Sequence, residues 1–123
     1  MTRPALSGIF VPNIVPYDAQ GKINEAELRR IIRWLGEKGV TGFYPNGSMG
    51  EFIRLSYEER KRVVRIVSEE AGGRPILAGA AEPNVDLVLD MCHHCADLGC
   101  RAVSITGPYY YKLSQESIEA YFR

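Results

Sequence analysis

Ser48 stands between two glycines in the run Tyr44-Pro45-Asn46-Gly47-Ser48-Met49-Gly50-Glu51-Phe52. A small-residue turn of this kind brings backbone N–H groups and one hydroxyl close to whatever binds there. Glycine permits the approach because it lacks a Cβ and tolerates positive φ. That is chemistry suited to a small anion. A second unusual loop, Thr106-Gly107-Pro108-Tyr109-Tyr110-Tyr111, offers three phenols, and a positioned tyrosine can serve as acid or base. Either loop alone is a weak signal, since a glycine-rich turn is more often only a turn and tyrosines near a strand end are more often packing. A third group, Met91-Cys92-His93-His94-Cys95 with Cys100 beyond, invites a metal reading, since Cys and His ligate zinc. Its spacing falls inside a helix, however. Cys92 and Cys95 share the apolar stripe, His93 and His94 point elsewhere, and no second Cys-x-x-Cys completes four ligands. The cysteines read as small buried hydrophobes, and no metal is expected. A redox Cys-x-x-Cys belongs at a helix N-terminus, which this is not.

The elements that must position these residues alternate along the chain. A short apolar run, Ile9-Phe10-Val11 to Ile14-Val15, reads as a first buried strand. Asn24 and Glu27 form a capping box for a helix whose face is Leu28, Ile31, Ile32 and Leu35, with Gly39 as its stop. Gly42-Phe43-Tyr44-Pro45 is a second strand that runs into the Ser48 turn. Ser56 and Glu59 box the next helix, which carries Val63, Val64, Ile66 and Val67 and ends at Gly72-Gly73. Pro75-Ile76-Leu77-Ala78-Gly79 is a third strand. A third helix opens at Pro83-Asn84, with Val85, Val88, Leu89 and Cys92 on one side and Gly99 as its end. Arg101 to Thr106 is a fourth strand, and Ser114 caps a last helix. Strands recur roughly every 30 residues, the size of a βαβ unit. The class is therefore α/β, with parallel strands covered by helices. An open doubly wound sheet fits, as does a (β/α)₈ barrel of which about half is present. No Gly-x-Gly-x-x-Gly follows the first strand and no P-loop pattern occurs, which disfavours a dinucleotide fold. Both unusual loops follow strands, and in parallel α/β folds ligands gather at the carboxyl ends of strands.

Composition narrows the partners. The 123 residues suffice for one domain with one core, 46% hydrophobic and 24% charged. Fifteen basic residues balance fifteen acidic ones, so no electrostatic footprint for nucleic acid or a membrane surface is expected. No apolar run approaches the roughly 20 residues that span a bilayer, and the N-terminus lacks the apolar stretch of a signal peptide. Three cysteines clustered within nine positions argue against a disulfide framework and fit a reducing cytoplasm.

Taken together and in this order, the motifs resemble the pyruvate-dependent class I aldolases of the dihydrodipicolinate synthase and N-acetylneuraminate lyase family. The resemblance covers essentially the whole chain. It runs through Gly8, Val15-Pro16-Tyr17, the signature Gly47-Ser48-Met49-Gly50-Glu51, Leu55-Ser56-Tyr57-Glu58-Glu59-Arg60, Ile76-Leu77-Ala78-Gly79 and Thr106-Gly107-Pro108-Tyr109-Tyr110-Tyr111-Lys112. It implies a (β/α)₈ barrel, of which residues 1–123 are the N-terminal part of a single domain, assembled into dimers or tetramers. It also implies a barrel lysine that forms a Schiff base with a 2-oxo acid. The imine itself is then the electron sink, and no cofactor is called for. Ser48 is implied to pass protons or bind the substrate carboxylate. Backbone N–H groups around Met49 and Gly50, with Gly47 opening the turn, are implied to hold that carboxylate. Tyr110 is implied to be the relay tyrosine contributed across a subunit interface, beside Tyr109. Glu51 is expected to brace the turn.

The chain departs from that pattern in places. Met49 stands where most members have threonine, and a thioether cannot donate a hydrogen bond. Ala81 replaces a common glycine, and Pro12 a small residue. The family takes its lysine from the sixth strand, whereas Lys22, Lys38, Lys61 and Lys112 fall within the first four units. The expectation is thus a site whose covalent residue lies beyond Arg123, with these residues inactive by themselves. The alternative is a non-catalytic module of the same fold that binds or senses a 2-oxo acid.

Overall fold

The computed structural model describes residues 5–123. Four βα units follow one another: β1 (Phe10–Val11), α1 (Glu25–Glu37), β2 (Gly42–Phe43), α2 (Tyr57–Glu70), β3 (Leu77–Gly79), α3 (Val85–Asp97), β4 (Ala102–Ser104) and α4 (Gln115–Phe122). All strand pairings are parallel. Phe10 and Val11 face Gly42 and Phe43, a bridge between Phe43 and Ile76 joins the second strand to the third, and Leu77 to Gly79 pair with Ala102 to Ser104. Spatial order thus equals chain order. That is the winding of a barrel; a doubly wound sheet reverses direction at a switch point.

The ladders are shorter than the apolar runs suggest. Their hydrogen bonding nevertheless continues past the strand ends, from Tyr44 N–H to Val11 O, Gly79 N–H to Pro45 O and Ala80 N–H to Ser104 O. These bonds carry the order of the sheet into the loops at its carboxyl end. The core lies between sheet and helices, where Leu28, Ile32, Phe43, Val63, Val64 and Val67 are fully buried. Each such side chain stabilises the fold by roughly 1.5–3 kcal/mol.

Local signals start the helices as the sequence indicates, with two differences. The Ser56–Glu59 box is complete. At α1 only half of a box forms. Asn24 accepts from Glu27 N–H at 3.1 Å, but the Glu27 carboxylate turns to the Arg30 guanidinium instead. On α3 the buried stripe is Val88, Met91 and Cys95. Val85 and Leu89, expected on the apolar side, are 46% and 55% exposed. The helix packs on α2 with the other edge of its apolar arc, and α2 meets it through the Tyr57 hydroxyl donating to Leu87 O and to Asp90, and through His94 Nε2 at 3.1 Å from Lys61 O.

Candidate functional site at the carboxyl end of the sheet

Beyond β2 the chain forms two successive 3₁₀ turns, Ser48–Gly50 and Phe52–Arg54. The strain sits at the edges of the first turn. Asn46 (φ 59°) and Glu51 (φ 50°) are the non-glycine residues in the left-handed region, whereas Gly47 and Gly50 have ordinary φ. The glycine freedom expected at the centre of the signature is therefore not what shapes it. Asn46 tolerates this conformation better than most residues, and backbone strain of this kind persists where the surroundings impose it. The surroundings here are specific. A Cβ on Gly79 would lie 2.3 Å from Asn46 O, and one on Gly50 would lie 3.0 Å from Asn13 O. The end of β3 and the segment after β1 thus press on the turn from both sides, and small residues are required at those contacts.

A buried cation holds the turn from behind. Arg60, on the first turn of α2, donates to Ala81 O at 3.1 Å and to the Glu82 carboxylate at 2.6 Å, while its own carbonyl accepts from Asn46 Nδ2 at 3.1 Å. One residue so ties the β2 loop to the β3 loop. Ala81 contributes its carbonyl to this clamp. At the front of the turn, Glu51 lies 3.7 Å from Arg54, whose guanidinium stacks 3.9 Å from the centre of the Tyr17 ring. Burial raises the Tyr17 hydroxyl above its ordinary pKa, partly opposed by the Arg54 charge.

The turn leaves a hydroxyl and backbone donors at the rim. Gly50 N–H is engaged with Gly47 O at 3.1 Å and Glu51 N–H with Ser48 O at 3.0 Å. Gly50 thus cannot supply the amide expected of it. The first N–H groups of a 3₁₀ turn have no partner within it, so the amides of Ser48 and Met49 are the ones free of the turn. Ser48 and Met49 are both exposed, and Ser48 lines a cleft of about 460 Å³ with Glu51, Phe52, Ile53 and Arg54. Asn13 and Asn46 flank the turn with side-chain oxygens that are buried and lack a protein partner. Buried polar atoms of that kind mark places where a fold accepts a cost for another purpose.

The two unusual loops meet in part. The Tyr109 ring packs edge-on against Phe52, centroids 6.0 Å apart, so the fourth-strand loop does reach the second-strand turn. Tyr110 does not join it. Its ring is 77% exposed and packs against Tyr111 at 4.7 Å. Two hydroxyls that the spacing did not single out also face each other at this end of the sheet, with Tyr44 donating to Ser104 Oγ at 3.0 Å. Their positions at the ends of β2 and β4 were the available signal. Asn46 and Arg60 carried none, because their roles depend on contacts from β3.

Three of the lysines lie away from the turn. Lys61 pairs with Asp90 on the outer face, Lys38 lies 5.8 Å from the centre of the Trp34 ring, and Lys22 is exposed ahead of α1, whereas Lys112 is exposed in the β4 loop beside Tyr111. Among the described residues no group of three or more His, Cys, Asp or Glu side chains is arranged to hold a metal, and no helix is long and apolar enough to cross a membrane.

Comparison with known proteins places this geometry. The model of the dihydrodipicolinate synthetase family matches residues 5–123. The 4-hydroxy-tetrahydrodipicolinate synthase of Brucella abortus biovar 1 (strain 9-941) is 34% identical over 118 residues, 95% of this chain and 40% of that protein. The N-acetylneuraminate lyase of Mycoplasma synoviae superposes with a TM-score of 0.87 at 31% identity, over 94% of this chain and 40% of that one. YagE, a prophage protein of the dihydrodipicolinic acid synthase family from E. coli K12 solved in complex with pyruvate, superposes with a TM-score of 0.90 at 28% identity, over 97% of this chain and 40% of that one. The chain spans about 40% of the length of the curated relatives it matches. It belongs to the dihydrodipicolinate synthetase family, and its four βα units are the first four of that family's (β/α)₈ barrel.

Proposed function

We propose that this chain supplies the carboxylate-binding rim of a class I aldolase, a lyase that makes or cleaves a carbon–carbon bond next to a pyruvate-type 2-oxo acid. The observation that carries the reading is the braced Ser48–Gly50 turn at the carboxyl end of β2, with its hydroxyl and two amides at the rim. The pyruvate complex of YagE supports the substrate class. In this reading residues 1–123 are the N-terminal part of a single barrel domain. A lysine from the remainder of the barrel attacks the keto carbon, water leaves, and the protonated imine accepts the electron pair of the bond that breaks. The Ser48 and Met49 amides face the carboxylate, and the Ser48 hydroxyl binds it or passes a proton. Tyr110 acts in the proton relay of a neighbouring subunit, for which an exposed ring on a rim loop is suited, with Tyr109 anchoring that loop on Phe52. The assembly is a homodimer or homotetramer working in the cytoplasm. Without the lysine, these residues alone do not turn over substrate. Met49 favours a relative of the synthases that acts on another 2-oxo acid or acceptor.

The test is reductive trapping. The native protein, incubated with pyruvate and borohydride, is expected to gain the mass of one reduced pyruvate imine on a lysine outside residues 1–123. Ser48→Ala is expected to weaken pyruvate binding by about 10-fold, the loss of one hydrogen bond to a charged group. An unchanged mass with retained pyruvate binding establishes the non-catalytic, 2-oxo-acid-binding alternative. Absence of both removes pyruvate from the reading and leaves another 2-oxo acid, the case that Met49 favours.

A further inference from the structure

The end of α3 lies at the amino-terminal end of the sheet, away from the Ser48 turn. Leu98 caps the helix and Gly99 follows in the left-handed region, φ +74°. Gly99 N–H donates to Ala96 O at 2.9 Å, and Cys100 N–H reaches back to Cys95 O at 2.9 Å. This pair of bonds is a Schellman stop. It brings together the side chain two residues after the cap and the one three residues before it, as a rule an apolar pair. Here both positions are cysteine.

The stop thus sets the two thiols side by side, near enough for each to shift the other's titration. Cys95 is fully buried against the core, while Cys100 is partly exposed and lies 4.0 Å from the Ser68 hydroxyl of α2. A cavity of about 330 Å³ opens beside it, lined by Ser68, Leu98, Gly99 and the cationic Arg74 and Arg101. The partly exposed Cys100 thus sits beside an opening that a small polar reagent can enter, since its neighbours Ser68, Gly99 and Arg101 line it, and a second cysteine lies behind. Cys92, one helical turn before Cys95, stands outside the helix stop, and burial raises its thiol above the ordinary range.

We propose that Cys100 is a reversible oxidation site for hydroperoxides, with Cys95 as its resolving thiol. The Cys100 thiolate attacks the peroxide oxygen. The O–O bond breaks, hydroxide (or the alkoxide of an organic peroxide) leaves, and Cys100 becomes a sulfenic acid. The Cys95 sulfur, losing its proton, then displaces hydroxide from that sulfenic acid. The two-electron oxidation ends as one S–S bond, the hydroxide or alkoxide released in the first step and one water from the second. Cys95 beside it holds the Cys100 thiol below the usual cysteine range, while Cys95 is pushed up by Cys100 and by burial. The pair is thus already polarised into an attacking sulfur and a protonated one. This chemistry does not depend on the aldolase reading.

The test uses the native protein and no activity assay. After a limited dose of hydrogen peroxide, quenching and alkylation with N-ethylmaleimide, the intact mass is expected to show one alkylated cysteine among residues 92, 95 and 100 in place of three. All three lie in the tryptic peptide 66–101, because trypsin does not cut between Arg74 and Pro75, so tandem fragmentation reads the pairing. Cys92 carries the label, and backbone fragments between residues 95 and 100 are suppressed. Dithiothreitol restores all three. Cys95→Ser is expected to stop at a sulfenic acid that dimedone captures on Cys100. Three alkylated cysteines after a dose that oxidises a free model thiol overturn the proposal, as does a bridge that includes Cys92. The unmutated peptide map decides this whether or not the variant folds.

Discussion

Met49 lies at the rim beside Ser48, 60% exposed, in a turn whose first two amides have no partner within it. Its thioether adds contact but no donor. Met49→Thr is therefore expected to tighten pyruvate binding, since a hydrogen bond to a charged group contributes about 1.5–3 kcal/mol, roughly 10- to 100-fold in Kd. Calorimetry on the native protein and the variant measures it, and an unchanged Kd moves the carboxylate away from this side chain. Ser48 and Met49 were legible because a hydroxyl between glycines after a strand is a local pattern. Asn46 was not, although it is the residue that bends the chain. Its left-handed conformation is imposed by the packing of its own carbonyl against Gly79 and by its side-chain bond to the Arg60 carbonyl, both remote in sequence.

Between α1 and α2 the ordering force at the surface is a mesh of charges. Arg29 pairs with Glu25, Glu69 and Glu70, Arg33 also reaches Glu70, and Arg62 reaches Glu25. The Arg29 hydrogen bond first, then that of Arg33, holds the Glu70 carboxyl below its usual range, and Arg62 with Arg29 does the same for Glu25. Carboxylates depressed in the folded state bind protons sooner in the unfolded state. Their contribution is full above the unfolded value near about 4.3 and is lost as pH falls through the folded one. Arg29→Met is thus expected to lower the urea midpoint at neutral pH and to flatten the loss of stability between about pH 5 and pH 3. A urea series across pH checks it, and a parallel downward shift with the same slope would show that the mesh does not set the acid limb. The caps at Asn24 and Ser56 were readable from sequence because each closes within three residues. The buried side of α3 was not. Val88 with Met91 and Cys95 and Val85 with Leu89 are neighbouring stripes of one apolar arc, and only the position of α2 selects between them.

At the scale of the molecule, four parallel strands leave β1 and β4 as open edges, with Ile9, Ile14, Trp34, Ile118 and Phe122 exposed. Unpaired edges and apolar patches of this kind associate. The 123-residue polypeptide expressed by itself is expected to bind a hydrophobic dye and to sediment faster as concentration rises; a dye-silent monomer over that range would mean that these surfaces are covered locally. The alternation of strand and helix, the helix starts and stops, and the two chemically unusual loops were all determined by the sequence alone, because periodicity, capping and turn chemistry act within a few residues. Strand order excluded the doubly wound alternative, which the same alternation allowed equally well, since winding depends on which edges pair across βα units. Tertiary structure likewise decided the inner geometry of the Ser48 turn. Its bend is set by a carbonyl pressed against Gly79, its rear by Arg60 bridging to Ala81 and Glu82, and its reach by Tyr109 on Phe52. Each of these joins residues from different βα units, and no local preference in the chain encodes a contact that exists only once the units are packed side by side.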